Sequence, residues 1–286
     1  MVREIPFQQV DVFTDTPYRG NPVAVVLDGN DLSTKEMQAI ANWTNLSETT
    51  FVCRPTTPQA DYRLRIFTPN SELPFAGHPT IGSAYAWLQQ GMKPRSEGCL
   101  VQECGSGLVS IQVEDNKLFL ALPEPKISNI QPADLHELAN ALGIQSRQVR
   151  VHARVDVGAV WLTLQLPDAD TVLHLRPDQS RLASLTPRGV TGVTVFGFAE
   201  EASEYQVEVR SFAPGEGVAE DPVCGSGNGC VATLIREFKL LDERRYVARQ
   251  GTCVGRHGRV EVRYLEIGSI LIGGHAVTCI EGALRI

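Results

Sequence analysis

The chain has 286 residues, more than the roughly 100 to 200 typical of one domain, so we expect two domains. Its net charge of −7 and pI near 5.4 argue against binding to nucleic acid or to an acidic membrane, and favour a small molecule or another protein as partner. Seven scattered cysteines without CxxC pairs, and no apolar run near the ~20 residues of a membrane span, predict a cytoplasmic protein with neither disulfides nor a metal site.

The first segments predict a strand, a turn, a second strand and a helix. The strands are FQQVDVF and VAVVLDG, and the turn TDTPYRGNP lies between them. Ser33 and Glu36 form a capping box, which predicts the start of the helix. The helix should end near residues 42–44, after which NLSETTFVC leads into a third strand.

A further strand is followed by a glycine-bearing loop and a helix. In ADYRLRIFTP, apolar residues alternate at Tyr62, Leu64 and Ile66, as in a strand. In NSELPFAGHPTIGSAYAWLQQG, Pro79 suits the first turn of a helix, which should end at Gly91. Four residues are expected to share one apolar side of this helix: Ile81, Ala84, Tyr85 and Leu88.

The same order of features recurs later in the chain. The segment FTP at 67–69 matches FAP at 212–214, and Gly77 matches Gly225 once three extra residues are allowed. Upstream, TTFVC has a counterpart in VTVFG. The repeated order of strand, strand, Phe-x-Pro, glycine loop and small-residue helix predicts two structurally similar halves.

The proline-rich segment LPEPKISNIQP, residues 122–132, predicts the linker between these halves. A helix at about 134–142 should begin the second half, and four short strand-like segments follow its glycine-loop helix. Strands predominate in both halves, and each half has one helix that is small and apolar enough to be enclosed. We therefore expect an α+β protein.

The sequence CGSG occurs twice. At 104–107 it joins the alternating runs GCLVQE and LVSIQVE, so Gly105 and Gly107 are expected to supply the positive φ values of a hairpin turn. We assign no chemistry to this copy.

The copy at 224–227 opens a helix and follows a carboxylate pair, Glu220 and Asp221. Unpaired N–H groups at a helix start carry partial positive charge, and glycines let an anion approach them. The first half also has such a loop, FAGHPTIG, so one small anion could be held from both sides of a cleft. The alternative is a tight helix start packed against a strand, and neither GxxxxGK[ST] nor GxGxxG is present here to indicate a nucleotide.

Four segments in this order resemble the PhzF-like family, named for a phenazine-biosynthesis isomerase: VDVFTDTPYRGNPVAVV, NLSETTFV, YRLRIFTPNSELPFAGHPTIGSA and EDPVCGSGNG. The resemblance covers almost the whole chain. It implies the diaminopimelate epimerase fold, with two pseudo-symmetric halves that are each a bent antiparallel sheet around a central helix, and an active site in the cleft between them. The implied halves are 1–124, joined by the final strand at about 275–286, and 125–274.

Family members commonly form homodimers and use no metal or organic cofactor, so the resemblance implies the same here. By position, Glu48 in LSET matches the catalytic general acid/base, and His78 and Asp221 match residues that orient the substrate and assist proton transfer. Three residues match the loops that hold the substrate carboxylate: Gly77, Gly225 and Ser226. Taken singly, Glu48 could be a solvated loop residue, His78 a capping or packing residue and Asp221 a turn carboxylate.

The resemblance therefore implies a cofactor-independent isomerase. Glu48 would remove a proton from a carbon beside an unsaturated system and return it elsewhere on the same face of a small carboxylate-bearing metabolite. A closed apolar cleft would raise the pKa of this carboxyl by desolvation, which suits an acid/base group.

The chain departs from related amino-acid racemases, which place a cysteine at both glycine loops. Ala76 stands at the first loop, whereas Cys224 stands at the second, where PhzF-like members more often have threonine. A helix start would lower the pKa of this thiol, so one alternative is an epimerase that uses Glu48 and Cys224. The other readings are a small residue tolerated at a threonine-like position and, for the whole chain, a non-catalytic small-molecule binding protein.

Overall fold

The computed structural model describes residues 3–266 and 268–286. The chain forms two compact units. The first comprises Met1–Leu120 together with Gly273–Ile286, and the second comprises Ala121–Ile272. Within the described ranges, no helix has the length and apolar character that crossing a membrane requires.

The first unit alternates strands with two longer helices. Its strands are β1 (Glu4–Val12), β2 (Asn21–Val26), β3 (Thr49–Cys53), β4 (Tyr62–Phe67), β5 (Glu72–Leu73), β6 (Cys99–Cys104), β7 (Gly107–Glu114) and β8 (Lys117–Ala121). Its helices are α1 (Thr34–Thr44) and α2 (Gly77–Gln89). The predicted capping box of Ser33 and Glu36 is confirmed at the start of α1.

Strand pairing in the first unit is mainly antiparallel. β1 pairs with β2, β3 with β4, and β6 with β7 in the antiparallel sense. β2–β3 and β4–β6 are parallel. The helices explain these two pairs, because α1 and α2 carry the chain back to the starting edge of the sheet, as a parallel connection requires.

The second unit has its own strands and helices. The strands are β9 (Lys126–Ser128), β10 (His152–Asp156), β11 (Val160–Gln165), β12 (Gly192–Phe198), β13 (Val207–Ala213), β14 (Val218–Asp221), β15 (Arg245–Gln250), β16 (Gly258–Tyr264) and β17 (Ile270–Gly274). The helices are α3 (Pro132–Ala141), α4 (Ala169–His174), α5 (Gln179–Leu185) and α6 (Gly225–Glu237).

The pairing pattern of the first unit is repeated in the second. β10–β11, β12–β13 and β15–β16 are antiparallel, whereas β11–β12 and β13–β15 are parallel. The helices at the equivalent place are α2 and α6, which begin at Gly77 and Gly225, the two glycines matched in the sequence. The α+β class with two similar halves is thus confirmed.

Each of these two helices is enclosed by strands of its own unit. α2 packs against β1, β2, β3 and β4, and α6 packs against β10, β11, β12 and β16. The predicted one-sided apolar face of α2 is wrong, because Tyr85 and Leu88 are only half-buried while Gly82 and Ser83 are buried. A helix surrounded on most sides needs small residues where strands approach, and a Cβ at Gly82 would lie 2.4 Å from Cγ1 of Val23.

The last strand, β18 (Ala276–Arg285), returns to the first unit. It pairs antiparallel with β1 along its length, from Glu4 opposite Arg285 to Val12 opposite Ala276. β1 therefore lies between β2 and β18.

Two sequence predictions about loops need correction. The hairpin at 104–107 is confirmed between β6 and β7, but only Gly107 has a positive φ, of 98°. Gly105 is required for a different reason, since a Cβ there would lie 2.8 Å from Cα of Pro74. The predicted linker 122–132 is partly a strand, because β9 pairs with β10.

Candidate active site

Glu48 lies in the short segment between α1 and β3. α1 ends at Asn45, whose φ of 54° turns the chain out of the helix, and the parallel pairing of β3 with β2 begins at Thr49. The carbonyl of Glu48 accepts a hydrogen bond from the N–H of Ala24 at 3.4 Å. The sheet therefore fixes the backbone of Glu48, and only 15% of its side chain is exposed.

The Glu48 carboxyl faces the imidazole of His78. Oε2 of Glu48 lies 3.4 Å from Nε2 of His78. His78 is the second residue of α2, and only 9% of its side chain is exposed. This Oε2 makes no hydrogen bond within the part of the chain that the structure describes. Burial raises the pKa of Glu48 to about 7, while the hydroxyl of Ser47 acts in the opposite direction. Near neutral pH this carboxyl can both take and give a proton.

The start of α2 beside His78 is open. Its N-cap, Ala76, offers no side-chain hydrogen bond to the first turn. A Cβ at Gly77 would meet nothing within 4 Å. No packing within the described chain requires a glycine at this position, and the bare backbone leaves room for another molecule next to the N–H groups of the first turn.

In the second unit, Asp221 and Cys224 form the turn that leads from β14 into α6. Oδ1 of Asp221 accepts a hydrogen bond from the N–H of Val223 at 3.0 Å. Cys224 is the N-cap of α6, and its Sγ accepts a hydrogen bond from the N–H of Gly227 at 3.2 Å. The thiol therefore caps the helix as a serine or threonine hydroxyl commonly does.

Ser226 lies in the first turn of α6, next to Gly225. Its Oγ accepts a hydrogen bond from Nε1 of Trp161 at 3.0 Å, and it lies 3.6 Å from Sγ of Cys224. A hydroxyl that accepts from an indole keeps its own proton to donate. The indole of Trp161 thus fixes the position of the Ser226 hydroxyl, whose proton can be donated to Sγ of Cys224 or to another acceptor.

The pKa of Cys224 is raised, whereas the sequence predicted that the helix start would lower it. Burial raises it well above the ordinary thiol range, the negative charge of Asp221 adds to this, and the hydrogen bonds from Ser226 and Gly227 oppose it. The thiol is fully buried, so the favourable helix start does not outweigh desolvation. Burial of Cys224 therefore favours the thiol over the thiolate.

Glu208, on β13, is a second carboxyl whose pKa burial raises to about 7. Its side chain is fully buried and accepts a hydrogen bond from Nε of Arg249, which lies over the ring of Tyr205. A structural ion pair perturbs a pKa as an active site does. Glu208 is engaged by a guanidinium, whereas Glu48 faces an imidazole, and we regard Glu48 as the acid/base candidate.

The sequence prediction missed a duplicated ion pair. Arg65 binds Glu72 with two hydrogen bonds of 2.7 Å and lies over the ring of Phe67. Arg210 binds Glu220 in the same way, at 2.9 and 2.8 Å, and lies over the ring of Phe212. The repeated pattern Arg-x-Phe-x-Pro could have indicated both arginines. A further buried amide, Gln250, gave no sequence signal.

Each predicted site residue has a place within its own unit. The first unit brings Glu48 to His78, with Gly77 adjoining. The second gathers four residues around the start of α6: Asp221, Cys224, Gly225 and Ser226. Within the ranges 3–266 and 268–286, no group of three or more histidine, cysteine, aspartate or glutamate residues is arranged to hold a metal ion.

The chain resembles known proteins over nearly its full length. It matches the model of the family described as phenazine biosynthesis-like protein over residues 10–282. It is 44% identical over 293 residues to antisense-enhancing sequence 1 of Schizosaccharomyces pombe, with 98% of each chain covered. It is 33% identical over 285 residues to the trans-2,3-dihydro-3-hydroxyanthranilate isomerase of Pseudomonas aeruginosa, with 96% of each covered.

Solved structures give the same result. The Bacillus anthracis phenazine biosynthesis protein of the PhzF family has a TM-score of 0.87 and 25% identity, covering 99% of this chain and 100% of that one. A hydroxyproline epimerase from Agrobacterium vitis, 14% identical with a TM-score of 0.63 and coverage of 99% and 93%, shares the fold alone. The predicted epimerase-like fold is confirmed. The chain therefore belongs to the phenazine biosynthesis-like, or PhzF, family and is an isomerase.

Proposed function

We propose that the protein is a cofactor-independent isomerase that shifts a proton on a small carboxylate-bearing metabolite, with Glu48 as general acid and base. The observation that supports this is the buried carboxyl of Glu48, whose pKa is raised to about 7 and whose Oε2 lies 3.4 Å from His78. A group with a pKa near the working pH is best able to accept a proton and return it in one catalytic cycle.

In the proposed reaction, the Glu48 carboxylate removes a proton from a carbon beside a double bond. The electron pair of the broken C–H bond moves into the neighbouring unsaturated system, and the double bond shifts. Protonated Glu48 then delivers the proton to another carbon on the same face. The substrate is neither oxidised nor reduced. His78, whose Nε2 lies 3.4 Å from Oε2 of Glu48, is assigned the orientation of the substrate and assistance to the proton transfer.

The proposal assigns the substrate carboxylate to the backbone N–H groups and hydroxyl of three residues: Gly77, Gly225 and Ser226. Fixed N–H dipoles stabilise negative charge that develops in the transition state without the reorganisation that water needs. Asp221 is assigned the orientation of the substrate.

The substrate class follows from a relative. The Pseudomonas aeruginosa protein is named for trans-2,3-dihydro-3-hydroxyanthranilate, a cyclic carboxylate with double bonds in its ring. We propose a substrate with these two features, a carboxylate and an adjacent unsaturated carbon system. In the alternative epimerase, Cys224 would act as the acid that delivers the second proton, because the raised pKa of this thiol disfavours the thiolate that a base requires.

Solvent label tests the proposal. Small unsaturated carboxylates, beginning with trans-2,3-dihydro-3-hydroxyanthranilate, are incubated with the protein in heavy water, and deuterium on carbon is measured by NMR. Wild type is expected to introduce label, and Glu48→Gln to lose at least about a thousandfold in rate. The matched control is Glu97→Gln, at an exposed glutamate of the first unit. Full activity in Glu48→Gln would refute the assignment.

A further inference from the structure

A buried amide underlies the turn from Asp221 to Cys224 in the second unit. Gln250, the last residue of β15, is fully buried. Its Oε1 accepts hydrogen bonds from the N–H of Cys224 at 3.1 Å and from Nδ2 of Asn228 at 2.8 Å. Its Nε2 donates to the carbonyl of Asp221 at 3.0 Å. One side chain therefore binds the backbone at both ends of this turn.

Asn228 completes the arrangement from inside α6. Its Nδ2 also donates to the carbonyl of Cys224 at 2.9 Å, so the two amides together bind both backbone polar groups of Cys224. Oδ1 of Asn228 is buried and makes no hydrogen bond among the described residues. Leaving a buried acceptor without a donor is unfavourable. The amide of Asn228 thus keeps the orientation in which Nδ2 binds Cys224 and Gln250, although Oδ1 then has no donor among the described residues.

Two glycines bring neighbouring backbone against the same turn. Gly251, which follows Gln250, has a φ of 97°, and a Cβ there would lie 2.4 Å from the carbonyl oxygen of Pro222. A Cβ at Gly258, on β16, would lie 2.4 Å from Cγ2 of Val223. The turn is therefore packed against the strands that carry these glycines and has no space to move towards them.

We propose that Gln250 is a positioning residue for substrate binding. It fixes the backbone from Asp221 to Cys224, and with it the directions of the Asp221 carboxylate and of the N–H groups of Gly225 and Ser226. The inference rests on the proposed function, which assigns those groups to the substrate. It adds a residue that does not itself touch the substrate, about thirty positions further along the chain.

The first unit offers a matched control in Gln102, on β6. This residue is also fully buried, and it too reaches the fourth residue of a central helix. Its Nε2 donates to Oγ1 of Thr80 at 3.0 Å, and its Oε1 accepts from the hydroxyl of Tyr62 at 2.9 Å. The hydrogen bonds of its side chain go to other side chains, whereas those of Gln250 include the backbone before the helix.

The experiment compares Gln250→Met with Gln102→Met, two nearly isosteric losses of a buried amide. Amide hydrogen exchange of the folded proteins is measured by NMR. Because Gln250→Met removes the acceptor of the Cys224 N–H, exchange at Cys224 is expected to accelerate on the order of tenfold or more, and Gln102→Met to leave it unchanged. Unchanged exchange at Cys224 in Gln250→Met would overturn the inference.

Kinetics with the carboxylate that wild type labels most rapidly separate positioning from loss of fold. Gln250→Met is expected to raise KM on the order of tenfold, because misdirected N–H groups bind the substrate carboxylate less well, and to lower kcat/KM by at least the same factor. Gln102→Met is expected to leave KM unchanged. A fall in kcat at unchanged KM would indicate a merely structural role and overturn the inference.

A second variant covers the case in which Gln250→Met does not fold. Gln250→Glu keeps an oxygen for the N–H of Cys224 and for Asn228, and at acid pH its protonated carboxyl can also donate to the carbonyl of Asp221. Protection at Cys224 should therefore be retained at acid pH, and its loss there would contradict the assigned contacts. If wild type labels no carboxylate, the proposed isomerisation fails, while amide exchange still decides whether Gln250 holds the turn.

Discussion

The two central helices occupy equivalent places in their units but start in different surroundings. At the start of α2, Ala76 provides no side-chain cap and Gly77 borders open space. At the start of α6, Cys224 caps the helix and Gln250 binds its backbone. The two helices thus have similar strand surroundings, but the start of α6 is bound by side chains whereas the start of α2 is open.

The difference separates two tasks that a symmetric site would share. A racemase with a thiol at each loop needs equivalent proton carriers on both sides. Here the carboxyl of Glu48, whose pKa is raised to about 7, lies in the unit with the open helix start, whereas the pKa of the Cys224 thiol at the other helix start is raised well above its usual range. Under the proposed function, the first unit supplies the proton carrier Glu48 and the second supplies groups that bind the substrate.

The largest expected effect on the unfolding free energy is at the two equivalent ion pairs. The side chains of Arg210 and Glu220 are 6% and 9% exposed, compared with 18% and 40% for Arg65 and Glu72. Arg210→Met leaves a buried carboxylate without its partner and should cost about 3–5 kcal/mol of unfolding free energy. Arg65→Met should cost no more than about 1 kcal/mol, because water reaches Glu72. Urea unfolding measures both, and equal losses would contradict the contrast.

The next effect concerns the pH dependence of stability in Glu48→Gln. The folded state raises the pKa of Glu48 from 4.5 to about 7, so it binds this proton more tightly than the unfolded chain does. The resulting stability is fully present below pH 4.5 and is lost as the pH rises through 7. Glutamine has no such proton, so the variant should gain about 3 kcal/mol over wild type between pH 4.5 and pH 8.

Urea unfolding across this pH range tests the expectation. Glu208 also has a raised pKa, but it is present in both proteins and cancels in their difference. The exposed control Glu97→Gln should show no pH-dependent gain. A constant difference between Glu48→Gln and wild type would show that Glu48 is not desolvated.

Alanine at equivalent helix starts gives the third contrast. A Cβ at Gly227 would lie 2.6 Å from Oγ of Ser211, so Gly227→Ala should cost about 1–3 kcal/mol. Gly77→Ala meets no neighbour and replaces a poor helix former, so stability should stay the same or rise by up to about 1 kcal/mol. If the substrate approaches Gly77, this variant should nevertheless raise KM. Thermal unfolding measures the stability of both variants, and steady-state kinetics measures the KM of Gly77→Ala.

The smallest effect is expected at Cys224. Serine retains an acceptor for the N–H of Gly227, so Cys224→Ser should change stability by less than about 1 kcal/mol. The rate of label incorporation should stay within about threefold of wild type. A loss approaching that of Glu48→Gln would instead identify the thiol as a proton carrier.

Local signals in the sequence predicted much of the fold. The capping box at Ser33, the hairpin at 104–107 and the repeated Phe-x-Pro segment depend on neighbouring residues, and each has its place in the structure. The one-sided face of α2 was wrong because helical periodicity assumes a single buried side. Enclosure by strands on several sides is a tertiary property that periodicity does not record.

The site was predictable only through resemblance. A glutamate ahead of a strand is ordinarily solvated, and the seclusion of Glu48 comes from residues distant in sequence, such as His78. Gln250 was missed because the partners of a buried amide are set by the packing of strands and helices, and no spacing along the chain predicts them.

The return of β18 to β1 has a consequence for synthesis on the ribosome. The second unit is one continuous stretch, whereas Arg285 bonds to Glu4 across a separation of 281 residues. A nascent chain can therefore complete the second unit before β18, which pairs with β1 in the first unit, has emerged from the ribosome. The unit that contains Glu48 therefore gains its last strand only after nearly all of the chain has been translated.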